Sequence, residues 1–259
     1  MTRSTAERAT ELLRLHTDDE LLVLPNVWDV VTARVVAALP GCRALATASH
    51  SIAAAHGYPD GEQIPLDLML ATCERIAAAV EVPVSADLEA GYGDPGETTR
   101  RAIGAGIVGA NLEDQLKPLD EAVAAVRAVV RAGRAEGVEF VLNARTDAFL
   151  QPGDRDLDEV LAEAISRGRA FLEEGAACVF VPGRFDEQTV TALVEGIGRR
   201  RVSLIGVPGS PSGTRLVELG VARLSYGPWT QNVALTALAD FATAALAGGT
   251  LPEGVRRLN

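Results

Sequence analysis

Eight short apolar runs rich in strand-forming residues recur along the chain, each followed by a stretch with apolar residues at helical spacing. The runs are 21–25 (LLVLP), 43–48 (RALATA), 83–88 (PVSADL), 107–112 (IVGANL), 139–145 (EFVLNAR), 177–181 (ACVFV), 202–207 (VSLIGV) and 221–225 (VARLS). The helical stretches are 28–38, 66–80, 96–105, 119–136, 156–174, 186–199, 212–219 and 230–246. In 66–80, Leu66, Leu70, Cys73, Ala77 and Val80 fall on one helical face. Parallel strands must be joined by a crossover, and a helix is the usual one. Eight such units predict an α/β protein with a (β/α)8 TIM-barrel fold, a single domain over residues 1–259. An open doubly wound sheet is the alternative. No GxGxxG follows the first run, which weighs against its dinucleotide-binding form. Residues 1–17 read as an extra helix, within an N-terminal segment 1–20, that closes the bottom of the barrel.

Charge and cysteine usage narrow the function classes. The chain carries 24 basic and 35 acidic side chains, a net −11, so it lacks the basic footprint of a nucleic-acid binder. Its 47% hydrophobic content excludes a disordered chain. The N-terminus MTRSTAERATELLRLH has charges throughout and is not a secretory signal. No run approaches the roughly 20 apolar residues of a membrane helix, so no membrane partner is expected. Cys42, Cys73 and Cys178 are odd in number and form no CxxC pair. That suggests neither a disulfide framework nor a zinc site. A reducing cytoplasm is the expected location.

The polar residues of interest sit at the C-terminal ends of three successive runs. Side chains two apart on a strand share a face. Asp87 and Glu89 form such a pair in SADLEAGYG, Asn111 and Glu113 in GANLEDQ, and Asn143, Arg145 and Asp147 in LNARTDA. Barrel active sites lie at this end of the strands. Clustered carboxylates need cations, supplied by Arg145, a metal ion or both. Hard oxygen donors suit Mg²⁺, which keeps several waters. A purely structural ion-pair network around Arg145 is the competing reading.

With these residues in view, the sequence resembles the isocitrate lyase/phosphoenolpyruvate mutase superfamily. The resemblance covers most of the chain. It is carried by LPNVWDVVTAR (24–34), ATASHSIAAAHGYPDGE (46–62), ADLEAGYGD (86–94), GANLEDQ (109–115) and NARTDAFL (143–150). It implies a TIM barrel whose last helix is exchanged between subunits of a dimer or tetramer. Here that element is 230–246, with Leu235, Leu238 and Phe241 on one side; packing on its own barrel is the other possibility for this helix, and the tail runs over 230–259. The resemblance implies Mg²⁺, with Mn²⁺ as a substitute, held by Asp87, Glu89 and Glu113. It makes Arg145 the contact for a substrate carboxylate or a developing enolate. Ala48, Ser49 and His50 occupy the turn whose backbone amides hold the oxo acid. Asp60 aligns with an acid beside the reacting group. Asp87, Asn111, Asn143 and Ser203 complete the substrate contacts. The implied partner is a small-molecule 2-oxo acid, and the implied reaction is Mg²⁺-dependent C–C cleavage, by a lyase or decarboxylase, of a small 2-oxo or 2-hydroxy acid through an enolate. P–C chemistry of the phosphonopyruvate hydrolase or phosphoenolpyruvate mutase type is the alternative, as is a 2-oxo acid binding protein with reduced catalysis.

The chain departs from the family after Gln115. The lyases carry a catalytic cysteine segment there, and the mutases a longer gating loop rich in Lys, Thr, Asn and Ser. Here LKPLDEAVAAVRAVV runs directly into a helix, with Lys117 as the one echo. Glu89 stands where the family's second metal acid is an Asp, one methylene shorter. His50 is either a proton donor or a residue lending only its backbone. Tyr92, between two glycines, either covers the metal or anchors its loop. Asp29 reads as a helix-start acid and Ser212 as an N-cap. A phosphate site in GVPGSPSG (206–213) is disfavoured because its prolines remove amide donors.

Overall fold

The computed structural model describes residues 3–258. Residues 1 and 2 of the helix expected over 1–17, and residue 259 of the C-terminal tail, lie outside the described residues.

A parallel sheet closes on itself through a first strand that Pro25 divides. Its halves are β1 (Leu22–Leu24) and β2 (Asn26–Val27). β1 pairs with the last strand, β9 (Arg223–Ser225), and β2 with β3 (Leu45–Thr47). Proline has no N–H for the ladder, but the Pro25 carbonyl still accepts from the Ala46 N–H at 3.3 Å. β4 (Val84–Asp87), β5 (Gly109–Glu113), β6 (Val141–Arg145), β7 (Cys178–Phe180) and β8 (Val202–Ile205) complete the circle in sequence order. Nine strand segments thus form an eight-staved barrel, each within one of the eight expected runs except β2, which continues the first, and β5, which runs one residue past the fourth to Glu113. Closure excludes the open-sheet alternative.

The helices follow local chemistry. α1 (Thr5–Thr17) and α7 (Leu157–Glu173) open on capping boxes from Ser4 with Glu7 and Asp156 with Glu159. Asp29 caps α2 (Val30–Ala37) by accepting the Thr32 N–H at 2.7 Å, and Ser212 caps α9 (Gly213–Leu219). Both match the sequence expectation. α4 (Leu66–Ala78), α5 (Pro95–Gly104), α6 (Leu119–Ala135) and α8 (Glu187–Ile197) bury one apolar face each on the barrel. The sequence reading contained no counterpart of the short α3 (Ser49–Ala55). Seven residues are too few for a clear helical period.

α1 plugs the bottom of the barrel, as expected. Leu12, Leu15 and His16 are buried there. The fit needs Gly109 at the start of β5: a Cβ would sit 2.9 Å from Leu12 Cδ2 and 2.6 Å from the Val141 carbonyl oxygen. Burial depresses His16 to about 3, so it packs as the neutral imidazole.

α10 (Trp229–Leu246) is different. Gln231 is its buried residue, donating to the Ser51 carbonyl at 3.1 Å. Beyond that first turn, Val233, Leu235, Leu238 and Leu246 stand 70, 52, 59 and 91% exposed. Among the described residues no helix is long and apolar enough to cross a membrane.

Candidate active site

Three adjacent strands end on Asp87 (β4), Glu113 (β5) and Arg145 (β6). The ladder sets Asp87 beside Asn111, Asn111 beside Asn143, and Glu113 beside Arg145. Arg145 Nη1 donates to Glu113 Oε2 at 2.8 Å and its Nε to Asp147 Oδ1 at 2.6 Å. Those two contacts fix the guanidinium plane. Asp87 Oδ2 accepts from the Ser49 hydroxyl at 2.9 Å and the Ser49 N–H at 3.2 Å. α3 is therefore tied by its first residue to the end of β4.

Glu113 lines one cavity with Arg145. Asp87, Ser49 and Arg145 open onto its neighbour, a cavity of about 340 Å³ whose polar wall also includes His50, Asp60 and Asn111. Its volume falls in the range of small-molecule pockets. His50 and Asp60 lie at its rim, Nδ1 to Oδ2 3.5 Å, each about half exposed. An ion pair so exposed contributes little to stability, and its place at the rim leaves both groups accessible to a ligand.

Glu89 does not continue the strand. β4 stops at Asp87, and Glu89 has φ +52°, in the left-handed region. Its carboxylate accepts from the Glu62 N–H and, at 3.2 Å, from the Tyr92 hydroxyl. Glu62 in turn accepts the Tyr92 N–H at 2.6 Å. This reciprocal set latches the 57–64 loop across the barrel mouth. Tyr92 thus anchors its loop, and Glu62 is a contributor that sequence reading did not single out.

The electrostatics favour a cation. Burial first, then the charges of Asp87 and Asp60, push Glu89 up to about 7, against hydrogen bonds that lower it. Burial likewise pushes Glu113 up to about 7; Arg145 opposes this, while Asp87 and Asp147 add to it. Burial works against the charge on Arg145, but Glu113, Asp147 and Asp87 outweigh it and hold it cationic. The Arg145 guanidinium faces three carboxylates, so further positive charge relieves the repulsion. Among the described residues no three His, Cys, Asp or Glu side chains are arranged to hold a metal ion alone. The donor set therefore fits a hard cation that keeps several waters, reached directly by one or two carboxylates. The cysteines supply nothing here: burial pushes Cys73 and Cys178 up to about 12.

Asn143 and Ser203 were expected to touch substrate, but they do not line the cavity. Both are fully buried one layer below. Asn143 Nδ2 donates to Asn111 Oδ1 at 2.8 Å and to the Ser203 hydroxyl at 3.2 Å. Arg223 joins them, donating to Asn111 Oδ1 at 3.2 Å and Ser85 Oγ at 3.3 Å. Burial lowers Arg223 to about 10, which leaves it charged at neutral pH. Sequence reading overlooked this arginine; its signal was a single charge inside the run VARLS. Asp114 was also overlooked. It is buried, accepts from the Leu116 and Asp147 N–H groups at 2.9 Å each, and pairs with buried Arg167 at 3.2 Å. A second buried ion pair, Asp114 with Arg167, thus lies next to the pairs that Arg145 makes with Glu113 and Asp147.

Comparison with known proteins agrees with this geometry. The family model for phosphoenolpyruvate phosphomutase matches residues 12–246. A solved structure from Burkholderia cenocepacia J2315, described provisionally as a phosphonomutase, is 40% identical, with a TM-score of 0.86, covering 92% of this chain and 99% of that one. Oxaloacetate acetylhydrolase, solved with its product oxalate, is 28% identical with a TM-score of 0.86, over 98% and 92% of the two chains. The 2,3-dimethylmalate lyase of Eubacterium barkeri is 29% identical over 75% of this chain and 68% of its own. The chain belongs to the phosphoenolpyruvate mutase family, within the isocitrate lyase/phosphoenolpyruvate mutase superfamily of C–C lyases and mutases.

Proposed function

We propose that this protein is a Mg²⁺-dependent lyase or decarboxylase that cleaves a C–C bond of a small 2-oxo or 2-hydroxy acid through an enolate. The observation that carries the reading is the convergence of Asp87, Arg145 and the start of α3 on one cavity at the C-terminal end of the barrel. Asp87 would hold the cation directly, with Glu89 and Glu113 reaching it through its waters, and the cation when bound would supply Lewis-acid polarisation of the 2-oxo group. As the C–C bond breaks, its electron pair passes into an enolate oxygen. Arg145, fixed by Glu113 and Asp147, presents its guanidinium to that oxygen. The first turn of α3 adds backbone N–H groups on the facing wall. Asp60 and His50, at the rim, are placed to take the hydroxyl proton of a 2-hydroxy acid or return one to the enolate carbon. Gln115 and Leu116 turn at φ +48° and +52° and α6 starts at Leu119, which leaves room for neither the mutases' gating loop nor the lyases' cysteine segment, so the reading is of a C–C cleavage that needs no cysteine.

A Mg²⁺-dependent assay on oxaloacetate, 2-methylisocitrate, a 2,3-dialkylmalate and phosphonopyruvate tests the reading. Pyruvate or glyoxylate release supports it. Phosphate release would assign P–C chemistry, and no turnover on any of them with the metal bound would assign a binding protein. Glu113→Ala is expected to weaken Mg²⁺ binding by about 10- to 100-fold while the barrel stays folded, because Asp147 still pairs with Arg145. If it melts the protein with metal affinity unchanged, the carboxylates serve only an ion-pair network.

We also propose that α10 packs on a second copy of this chain, as its exposed Leu235 and Leu238 suggest. The expected result for Leu235→Glu with Leu238→Glu is a smaller species than the parent by size exclusion with light scattering. A parent that is already monomeric would overturn this assembly.

A further inference from the structure

A second cationic arm reaches the same cavity from the end of β7, the strand next to the one that carries Arg145. Arg184 follows β7 and shares the cavity wall with Arg145, Asp60 and Asp87. Its base is rigid. Pro182 and Phe185 are buried, the Phe185 ring closes over Gly183, and it meets Phe149 edge-on at 4.7 Å. Its head is free: among the described residues Arg184 makes no ion pair and no side-chain hydrogen bond, whereas Arg145 makes two ion pairs. The guanidinium lies across bare Gly209, where a Cβ would meet Nη2 at 2.8 Å and Cζ at 3.0 Å. Gly209 has φ +88°, so the 206–213 loop turns there on a residue that leaves space for the arm. Leu150, Phe180, Ile205 and Val207 line the same cavity.

An anchored arginine without a protein carboxylate, in a partly apolar pocket, is suited to a ligand carboxylate through paired N–H donors. The segment after Gln115 cannot supply that cation. Lys117 does not line this cavity, and its carbonyl is engaged by Arg167 at 2.9 Å. We infer that Arg184 is the specificity-determining residue that binds the distal carboxylate of a small dicarboxylic oxo or hydroxy acid. This rests on the proposed function, in which Arg145 and the cation take the reacting end.

Calorimetry with Mg²⁺ and two probes separates the two claims. Oxalate mimics the enolate end alone, and 3,3-difluorooxaloacetate carries both ends. Arg184→Gln is expected to weaken the difluoro dicarboxylate about 10- to 100-fold, to leave oxalate within about twofold, and to leave the melting temperature unchanged because the side chain is exposed. Arg184→Lys should recover part of the loss. If the parent binds oxalate but Arg184→Gln leaves the dicarboxylate unaffected, or weakens both probes equally, the assignment of Arg184 is wrong and the enolate site stands. A parent that binds neither probe with Mg²⁺ overturns the proposed function and this inference with it.

Discussion

Asp87→Asn is expected to slow turnover by about 10²- to 10³-fold while raising the melting temperature slightly. Two effects of one charge explain the opposite signs. Asp87 is the carboxylate at the centre of the site. Its charge contributes to the upward push on Glu89, Glu113 and Asp147 and helps hold Arg145 cationic. Its removal takes away a donor for the cation and one of the three charges that hold Arg145 cationic. The same removal relieves repulsion among buried acids, which the fold tolerates for function rather than stability. The amide keeps an oxygen for the Ser49 hydroxyl and N–H, so α3 stays attached to β4. Steady-state rates across a Mg²⁺ titration, with a thermal melt on the same samples, check both signs. Activity retained within tenfold would remove Asp87 from the centre of the mechanism. A lower melting temperature would mean that its bonds to Ser49 outweigh the repulsion.

Asp114→Ala is expected to cost about 3–5 kcal/mol. For a domain of this size that lowers the melting temperature by roughly 6–20 °C. The substitution leaves the buried Arg167 cation with Glu163 alone and removes the acceptor for the Leu116 and Asp147 N–H groups. Those two N–H groups belong to the loops after β5 and β6, which carry Glu113 and Arg145. The loss therefore loosens both strand ends, and catalysis should fall along with stability. Asp114→Asn keeps an acceptor but no charge and should fall between the two. A melt for Asp114→Ala within about 2 °C of the parent, where a change of under 1 kcal/mol would lie, would show that Arg167 finds a replacement partner.

The site was readable in proportion to how closely each residue obeys the strand. Glu113 and Arg145 are ladder residues paired across β5 and β6, so alternation alone puts them side by side. Asp87 is the last ladder residue of β4, and its place followed from the same rule. Glu89 lies two residues further, past the end of β4; its carbonyl still accepts the Glu113 N–H at 2.8 Å, but its φ of +52° breaks the pleat. It turns left-handed toward Tyr92 and the 57–64 loop. Asn143 obeys alternation too, but parity on a strand gives a face and not a depth. It lies one layer down with Ser203, facing the interior without reaching the cavity.

By itself the sequence determined the order of the eight strand–helix units and the strand ends where chemistry gathers, because hydrophobic period and strand-end polarity are local properties. Only the tertiary structure decided which oxygen meets which donor. Arg223 and Ser85 are 138 residues apart, and Asp114 and Arg167 are 53 apart. Arg184 belongs to a loop across the barrel from Asp87. No local period encodes such pairs. They exist because closing eight staves into a ring brings the ends of distant strands within hydrogen-bonding distance around one axis.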